Sequence, residues 1–410
     1  MKVMFTVSDW LGVYNCIIPL GWALEAAGHE VRVVCAPSQV RAVTQGGLVP
    51  VPLFESYDVM KMERMERYGE TARASGPLDD SPVLHPETGE PVVDFRLYDA
   101  DREGARLEEA CHEVIDRRFD AAAGFARDWR PDLVVHDLLG SEGVLAAAVA
   151  GVPCVYHGPG MFGAVESCVP DRTGALARHG VAQARPPIGY VIDSTPPSVG
   201  IDHGDALHIP MRYVPYNGPG RMEPWLLEEP DPRRLCLLWS RGTHNIFGNG
   251  APVFPRLLEA AADLDVEVVF TGPPEAVHSL DDLPGRVRVL TDFPLKLLLP
   301  TCGLIAHQGS VNPMMTAAAL GLPQLMLGMA DDGMEMGRRF ALAGSGLALS
   351  GLSATTEEIR GSLAALLDDP SAYKAARRIR EENEALPAPA EVVRPLELLA
   401  RTGTLTAADL

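Results

Sequence analysis

The sequence predicts an α/β chain of two doubly wound halves, each a parallel sheet covered by helices. Short apolar runs alternate with helical periodicity along most of the chain, Gly and Pro sit at the junctions, and a stretch at residues 214–234 dense in Gly, Pro and charge divides the alternation in two. A length of 410 residues also exceeds what one hydrophobic core usually serves.

Residues 3–7 form an apolar run bounded by polar residues, residues 17–27 carry helical periodicity ended by Gly28, and residues 31–35 return to β-branched types, which makes a βαβ unit. Residues 48–53 supply a third strand and 133–136 another after a helical stretch, while 143–151 turn into a strand at 152–156. Residues 55–103 are rich in Met, charge, Gly and Pro without a clean period, and read as insertion loops or short helices near the acceptor side. Past the linker, strands at 235–239, 267–270, 287–290, 304–306 and 325–327 alternate with helices at 254–264, 313–320 and 334–343. The tail at 371–402 is helical, interrupted at 387–389, and its last piece is long enough to cross back onto the first half. The expected division is 1–215 for the N-terminal domain, 216–232 for the linker, 233–385 for the C-terminal domain and 386–410 for the returning helix.

Lys+Arg 35 against Asp+Glu 55 leaves a formal charge of −20, which repels phosphate backbones and anionic lipid and excludes a nucleic-acid or polybasic membrane role. Seven scattered cysteines without C-x-x-C read as reduced, buried thiols, and eleven dispersed histidines argue against a metal cluster. The first ten residues lack the features of a secretory signal, and the longest apolar stretch, 143–156, is broken by Pro153, so a cytoplasmic chain without a membrane anchor is expected. Arg117, Arg118, Arg338 and Arg339 read as solvated helix faces, and His157-Gly158-Pro159-Gly160 as a cleft-lining turn without dinucleotide spacing.

The strongest local signal is His307-Gln308-Gly309-Ser310-Val311-Asn312-Pro313, between an apolar strand and a helix. With Asn312 as N-cap and Pro313 as first helical residue, the amides at the helix start face the loop and suit an anion such as phosphate. The same residues equally suit an ordinary capped turn.

The segment lies in a longer pattern: His307-x-Gly309, Thr316-Ala317-Ala318-Ala319-x-Gly321-x-Pro323-Gln324, Ala330-Asp331-Asp332, Arg338-Arg339 and Ala343-Gly344-x-Gly346. It resembles the nucleotide-sugar signature of family 1 glycosyltransferases of the GT-B fold. Pro19-Leu20-x-Trp22-Ala23-Leu24, Ala27-Gly28-His29-Glu30-Val31-Arg32-Val33 and Met211-Arg212-Tyr213-Val214-Pro215-Tyr216-Asn217-Gly218-Pro219 resemble more narrowly the actinomycete enzymes that put deoxysugars on macrolide and aromatic polyketide aglycones. The resemblance covers most of the chain and is weakest at 55–103.

It implies two Rossmann-like domains facing across a cleft, and an inverting transfer from a dTDP-sugar to a hydrophobic aglycone, with no cofactor and no metal. It further implies that His307, Gly309, Ser310 and the amides through Asn312 hold the donor diphosphate, that Thr243 closes on it, that Phe293 lies against the nucleobase, and that Asp331 and Asp332 hydrogen-bond the sugar. Where the family has Asp-Gln, two carboxylates only accept, which suits a sugar with amino or hydroxyl donors. Trp10, Val13, Tyr14 and His157 fall on the acceptor side.

Two departures stand out. Val13 occupies the place, six residues before Pro19, of the His that serves as general base, and Ser310, Asn312 and Pro313 stand where the family has Gly, Gly and Ser/Thr. Asp137 and Asp9, at expected strand ends, are the candidate replacement bases, with Glu142 and His136 behind them; C-glycosyltransferases lean on a carboxylate in this way. The competing reading is a catalytically silent homologue acting as a helper or binding protein; a sugar-nucleotide epimerase is disfavoured by the N-terminal and linker residues. The sugar, the aglycone, an O-, C- or N-linkage, a homodimer and an auxiliary activator protein all stay open.

Overall fold

The computed structural model describes residues 1–74, 83–92, 94, 99–163, 173–181, 188–248, 253–278 and 287–410. The chain divides into unit 1, residues 1–58, 107–219 and 382–410, and unit 2, residues 59–106 and 220–381. Residues 59–106, placed near the acceptor side by their position in the sequence, thus cluster with the second half.

In chain order the first elements are β1 (Lys2–Thr6), α1 (Leu11–Tyr14), α2 (Ile17–Ala26), β2 (Glu30–Cys35), α3 (Val40–Gln45) and β3 (Pro50–Pro52). After α4 (Val59–Arg73), which belongs to unit 2, come α5 (Ala100–Trp129), β4 (Leu133–His136), α6 (Glu142–Ala150), β5 (Cys154–His157), α7 (Ala175–Arg178), β6 (Tyr190–Asp193) and β7 (Leu207–Pro210). Unit 2 continues with β8 (Leu235–Leu238), α8 (Arg241–Phe247), α9 (Val253–Ala262), β9 (Val268–Gly272), α10 (Pro274–His278), β10 (Val287–Thr291) and α11 (Leu295–Leu298). Then follow β11 (Leu304–His307), α12 (Val311–Leu320), β12 (Gln324–Gly328), α13 (Asp331–Leu342), β13 (Gly346–Ser350), α14 (Thr356–Asp368), α15 (Pro370–Ala385) and α16 (Pro389–Thr402).

Both sheets are parallel, in the orders β3-β2-β1-β4-β5-β6-β7 and β10-β9-β8-β11-β12-β13. β4, β8, β9, β11 and β12 are buried along their whole length, the condition of strands covered by helices on both faces. The strand order reverses between β1 and β4 in unit 1 and between β8 and β11 in unit 2. In open sheets of this kind ligands bind beyond the carboxyl ends at such a point. Within unit 1, α16 packs on α2, and Glu397 of α16 lies 2.9 Å from Nε2 of His29.

Residues 55–103, read as loops or short helices, contain instead the 15-residue helix α4. β6, β7, β13 and α14 escape the sequence reading, the strands because four or five residues interrupted by His, Asp or small side chains carry no clear period. Cys16, Cys35, Cys154, Cys236 and Cys302 carry free thiols whose ionisation is disfavoured by burial, while Cys168 lies outside the described residues. Among the described residues no helix is long and apolar enough to cross a membrane.

Entry into β11 depends on Gly303, where a Cβ would lie 1.7 Å from the carbonyl oxygen of Pro232. Gly303→Ala is therefore expected to cost about 1–3 kcal/mol of stability through forced backbone displacement. A urea denaturation midpoint equal to that of the parent would contradict this close approach.

Candidate functional site

In unit 2 the turns after β8, β11 and β12 lie at the carboxyl edge of the sheet. His307, at the end of β11, is fully buried, and burial pushes its imidazole down to about 4, so the ring is neutral at pH 7. Nε2 donates to Oε1 of Gln324 at 3.0 Å, Nε2 of Gln324 donates to the Met314 carbonyl at 3.2 Å, and Nδ1 of His307 accepts the Gly309 amide at 3.2 Å. Gly309 has φ +86°, and a Cβ there would lie 3.2 Å from Cα of Gly328. A Cβ on Gly333 would in turn lie 3.3 Å from the Gly309 carbonyl. Three glycines thus let the turns that start α12 and α13 lie against each other.

Helix α12 starts earlier than expected: Ser310 is its N-cap, Val311 its first residue and Pro313 its third. A proline is tolerated there because the first turn has no intrahelical carbonyl partners for its N–H groups. The Ser310 hydroxyl accepts from Nε2 of Gln308 at 2.8 Å and makes no capping bond. What faces the turn is therefore the positive end of a ten-residue helix with the amides of Val311 and Asn312, Pro313 contributing none. His307 and the Gly309 amide, expected on the diphosphate, are bonded to each other. They shape the turn and present no donor.

Thr243 is buried in the first turn of α8, its amide 3.3 Å and its hydroxyl 3.1 Å from Oγ of the N-cap Ser240. Phe293, just past β10, is half-buried against an apolar group that includes Leu295 and Leu298, and its amide donates to Oγ1 of Thr271 at 3.4 Å. Asp331 and Asp332 are exposed in the first turn of α13, where carboxylates complement the helix dipole. Desolvation, then Glu66 and Asp332, hold the Glu63 carboxyl of α4 above its usual range, which sets α4 acids beside this turn.

In unit 1 the loops after β1 and β4 flank the reversal of strand order. Asp137 is fully buried, its Oδ2 accepting the Ser8 amide at 2.9 Å and the Ser8 hydroxyl at 2.6 Å, its Oδ1 the Leu139 amide at 3.1 Å. Burial, against these hydrogen bonds, pushes its carboxyl up to about 6. Asp137 clasps the two loops and offers no surface to an acceptor, which corrects its reading as the base.

The Asp9 side chain, 8% exposed, accepts from Nη1 of Arg118 at 2.9 Å and from the Tyr57 amide at 2.7 Å. Nε of Arg118 donates to Oε1 of Glu142 at 2.5 Å, Nη1 also reaches the Glu55 carbonyl at 2.9 Å, and the guanidinium lies 4.7 Å from the Phe54 ring centre. Arg118 is only 3% exposed, so it is a buried ion-pair centre and no solvated face; despite burial, Glu142 and Asp9 hold its charge. Two carboxylates on one guanidinium leave a net negative charge, and Oε2 of the buried Glu142 has no hydrogen-bond partner among the described residues. Arg117, by contrast, is exposed and pairs with Glu55.

His136, Tyr14 and His157 are all buried, which corrects the weaker base reading of the first and the acceptor-side reading of the other two. Nδ1 of His136 lies 2.9 Å from the Asp137 carbonyl, the Tyr14 hydroxyl donates to Oε1 of Gln39 at 2.8 Å, and Nε2 of His157 lies 3.1 Å from the Cys16 carbonyl. Trp10 and Val13 belong to an apolar cluster with Leu138, Leu139, Tyr156, Phe162 and Ile188. Leu139 and Phe162 were legible only as apolar residues placed just after parallel strands.

The sequence matches two family descriptions, "Erythromycin biosynthesis protein CIII-like, N-terminal domain" over residues 22–239 and "Erythromycin biosynthesis protein CIII-like, C-terminal domain" over residues 255–399. It is 33% identical to TDP-daunosamine transferase DnrS of Streptomyces peucetius, covering 97% of each chain, and 33% identical to 10-deoxymethynolide desosaminyltransferase of Streptomyces venezuelae, covering 98% of this chain and 97% of the relative. Among solved structures, spinosyn forosaminyltransferase SpnP superposes with a TM-score of 0.75 at 30% identity, covering 98% of this chain and 99% of that one. Spinosyn rhamnosyltransferase SpnG complexed with thymidine diphosphate gives 0.72 at 27% identity, covering 97% and 100%. These are glycosyltransferases of the GT-B fold, and the two parallel sheets of this chain have that fold.

The buried groups set a pH dependence. His136, His157 and His307 are each pushed by burial from 6.5 to about 4, so between these values the unfolded chain binds protons that the folded chain does not, and stability falls as pH falls through that window. Asp137, raised from 3.8 to about 6, has the opposite sign over the same range, and three groups outweigh one. The urea midpoint is expected to be lower at pH 5 than at pH 7, and His307→Gln to narrow the difference. A pH-independent midpoint would mean that these imidazoles are not held neutral.

Proposed function

This chain belongs to the erythromycin biosynthesis protein CIII-like family of glycosyltransferases, and from that premise we propose that it moves a deoxysugar, with inversion, from a dTDP-sugar to a polyketide-type aglycone. The observation that carries the reading is the pair of unlike sites at the two strand-order reversals: an anion-holding helix start in unit 2 and an apolar wall with a buried net negative charge in unit 1.

The donor diphosphate would sit on the first-turn amides of α12, held by preorganised dipoles that strengthen as charge builds on the departing phosphate. No metal is needed for this. Asp331 and Asp332, with Glu63 nearby, suit a sugar bearing an ammonium group, in keeping with the daunosamine and desosamine in the names of two relatives. The aglycone would pack on Trp10, Val13, Leu139 and Phe162. Its nucleophilic atom attacks the anomeric carbon, the bond to the diphosphate breaks, and the acceptor proton passes to a carboxylate. Asp9 fits this last role better than Asp137, because it keeps some exposure and shares one guanidinium with a second carboxylate; Asp137 fixes Ser8 beside it and is a positioning residue.

Val13, which cannot take a proton, favours one second reading, a silent helper that binds without transferring. Calorimetry with dTDP and a transfer assay with dTDP-deoxysugar and aglycone separate the two. The enzyme reading expects dTDP binding that weakens at least tenfold in Gly309→Ala, and turnover that drops about tenfold or more in Asp9→Asn with dTDP affinity retained. Undiminished turnover in Asp9→Asn removes it as the base, and dTDP binding without product under any acceptor supports the helper.

A further inference from the structure

Histidines dispersed in the sequence meet at one edge of unit 1. Asp193 ends β6, His208 lies in the edge strand β7, and His203 is carried by the connection between them. One ligand atom of each lies within 4.8 Å of the other two. In the register of the two strands Val191 pairs with His208 and Asp193 with Pro210, so Asp193 and His208 project from the same face of the sheet.

His203 is 2% exposed, its ring packs edge-on against His208 at 4.4 Å, and its Nε2 lies 3.2 Å from Oδ2 of Asp193. Among the described residues neither ring nitrogen finds a partner with the geometry of a hydrogen bond. A buried imidazole whose Nδ1 is unused and whose Nε2 meets a carboxylate at 3.2 Å without hydrogen-bond geometry, beside a second imidazole, is costly unless something accepts its lone pair.

We propose that Asp193, His203 and His208 bind a divalent transition metal of the zinc class, a structural clip that ties the β6–β7 connection to the sheet edge.

The donor set is chemically apt. Two imidazoles and a carboxylate, with water in the fourth position, form a common zinc environment. Tetrahedral bonds of about 2.0–2.1 Å place ligand atoms about 3.4 Å apart, within reach of modest side-chain rotation from the present spacing. His208 is exposed, which opens a path for the ion and room for the water.

The support behind the ligands is already built. Oδ1 of Asp193 accepts the Thr195 amide at 2.9 Å, which orients the carboxylate and leaves Oδ2 toward His203. The Thr195 hydroxyl accepts the Met161 amide at 3.0 Å, and Met161 sits at φ 61° immediately before Phe162 of the apolar cluster. The clip would steady the backbone that carries this wall while taking no part in sugar transfer.

The test uses the full chain, freed of metal by chelator and titrated with zinc chloride in a calorimeter. One equivalent per chain is expected, together with a rise in melting temperature and the visible absorption of a tetrahedral site when cobalt(II) replaces zinc. His208→Ala changes an exposed side chain on an edge strand and should fold; it is expected to weaken zinc binding at least tenfold and to abolish the thermal shift, as is His203→Gln. Binding that is undetectable at micromolar zinc, or equally tight in His208→Ala, overturns the proposal and leaves Asp193 and His203 as a simple ion pair. These readouts do not depend on transfer activity, so the metal site and the proposed function fail separately.

Discussion

Nδ1 of His307 accepts the Gly309 amide only while the ring is unprotonated there, and the turn at the start of α12, proposed to hold the diphosphate, rests on that condition. The ring is kept neutral by burial and held in one tautomer by Gln324, which is anchored to Met314 one turn into α12. The chain of bonds joins β11, β12 and α12 and leaves Gly309 in a left-handed conformation that lets Gly328 and Gly333 approach. Protonating His307 would turn an acceptor into a donor opposite an N–H. The histidine of the nucleotide-sugar signature therefore acts here as a brace for the turn, and the positive end that the turn presents is that of α12.

Unit 1 solves a related problem with ions. Asp9 and Glu142 share Arg118, which is packed over Phe54 and out of water, and a buried pair of this kind is costly to break because each partner is left uncompensated. The arrangement leaves more negative than positive charge beside an apolar wall. A chain of net charge −20 thus places a buried negative surplus in the unit proposed to hold the hydrophobic aglycone, and a helix dipole in the unit proposed to hold the diphosphate.

The doubly wound fold was readable because its central strands are buried on both faces, so residues 133–135 and 304–306 announce themselves as unbroken apolar runs. The strands β6, β7 and β13, at or next to the sheet edges, are short and carry His, Asp or small residues, and period alone does not find them. At the site, Val13 was legible only through resemblance, since nothing in its own neighbourhood says that a base belongs there. The burial of Asp137 and Arg118 was not legible at all, because their partners lie far along the chain: Ser8 is 129 residues from Asp137 and Asp9 is 109 from Arg118. Residue type marked Asp137 as a candidate base, while the packing that makes it a clasp exists only in three dimensions. The Asn312 cap failed for a local reason, since a proline at the third helical position satisfies the same steric rule as one at the first.

A crystal structure of the chain with dTDP bound bears most directly on the role assigned to the His307 turn. The diphosphate oxygens should lie within hydrogen-bond reach of the Val311 and Asn312 amides, with Nδ1 of His307 still facing the Gly309 N–H. A diphosphate bonded to the His307 ring itself, or held away from the start of α12, would contradict it.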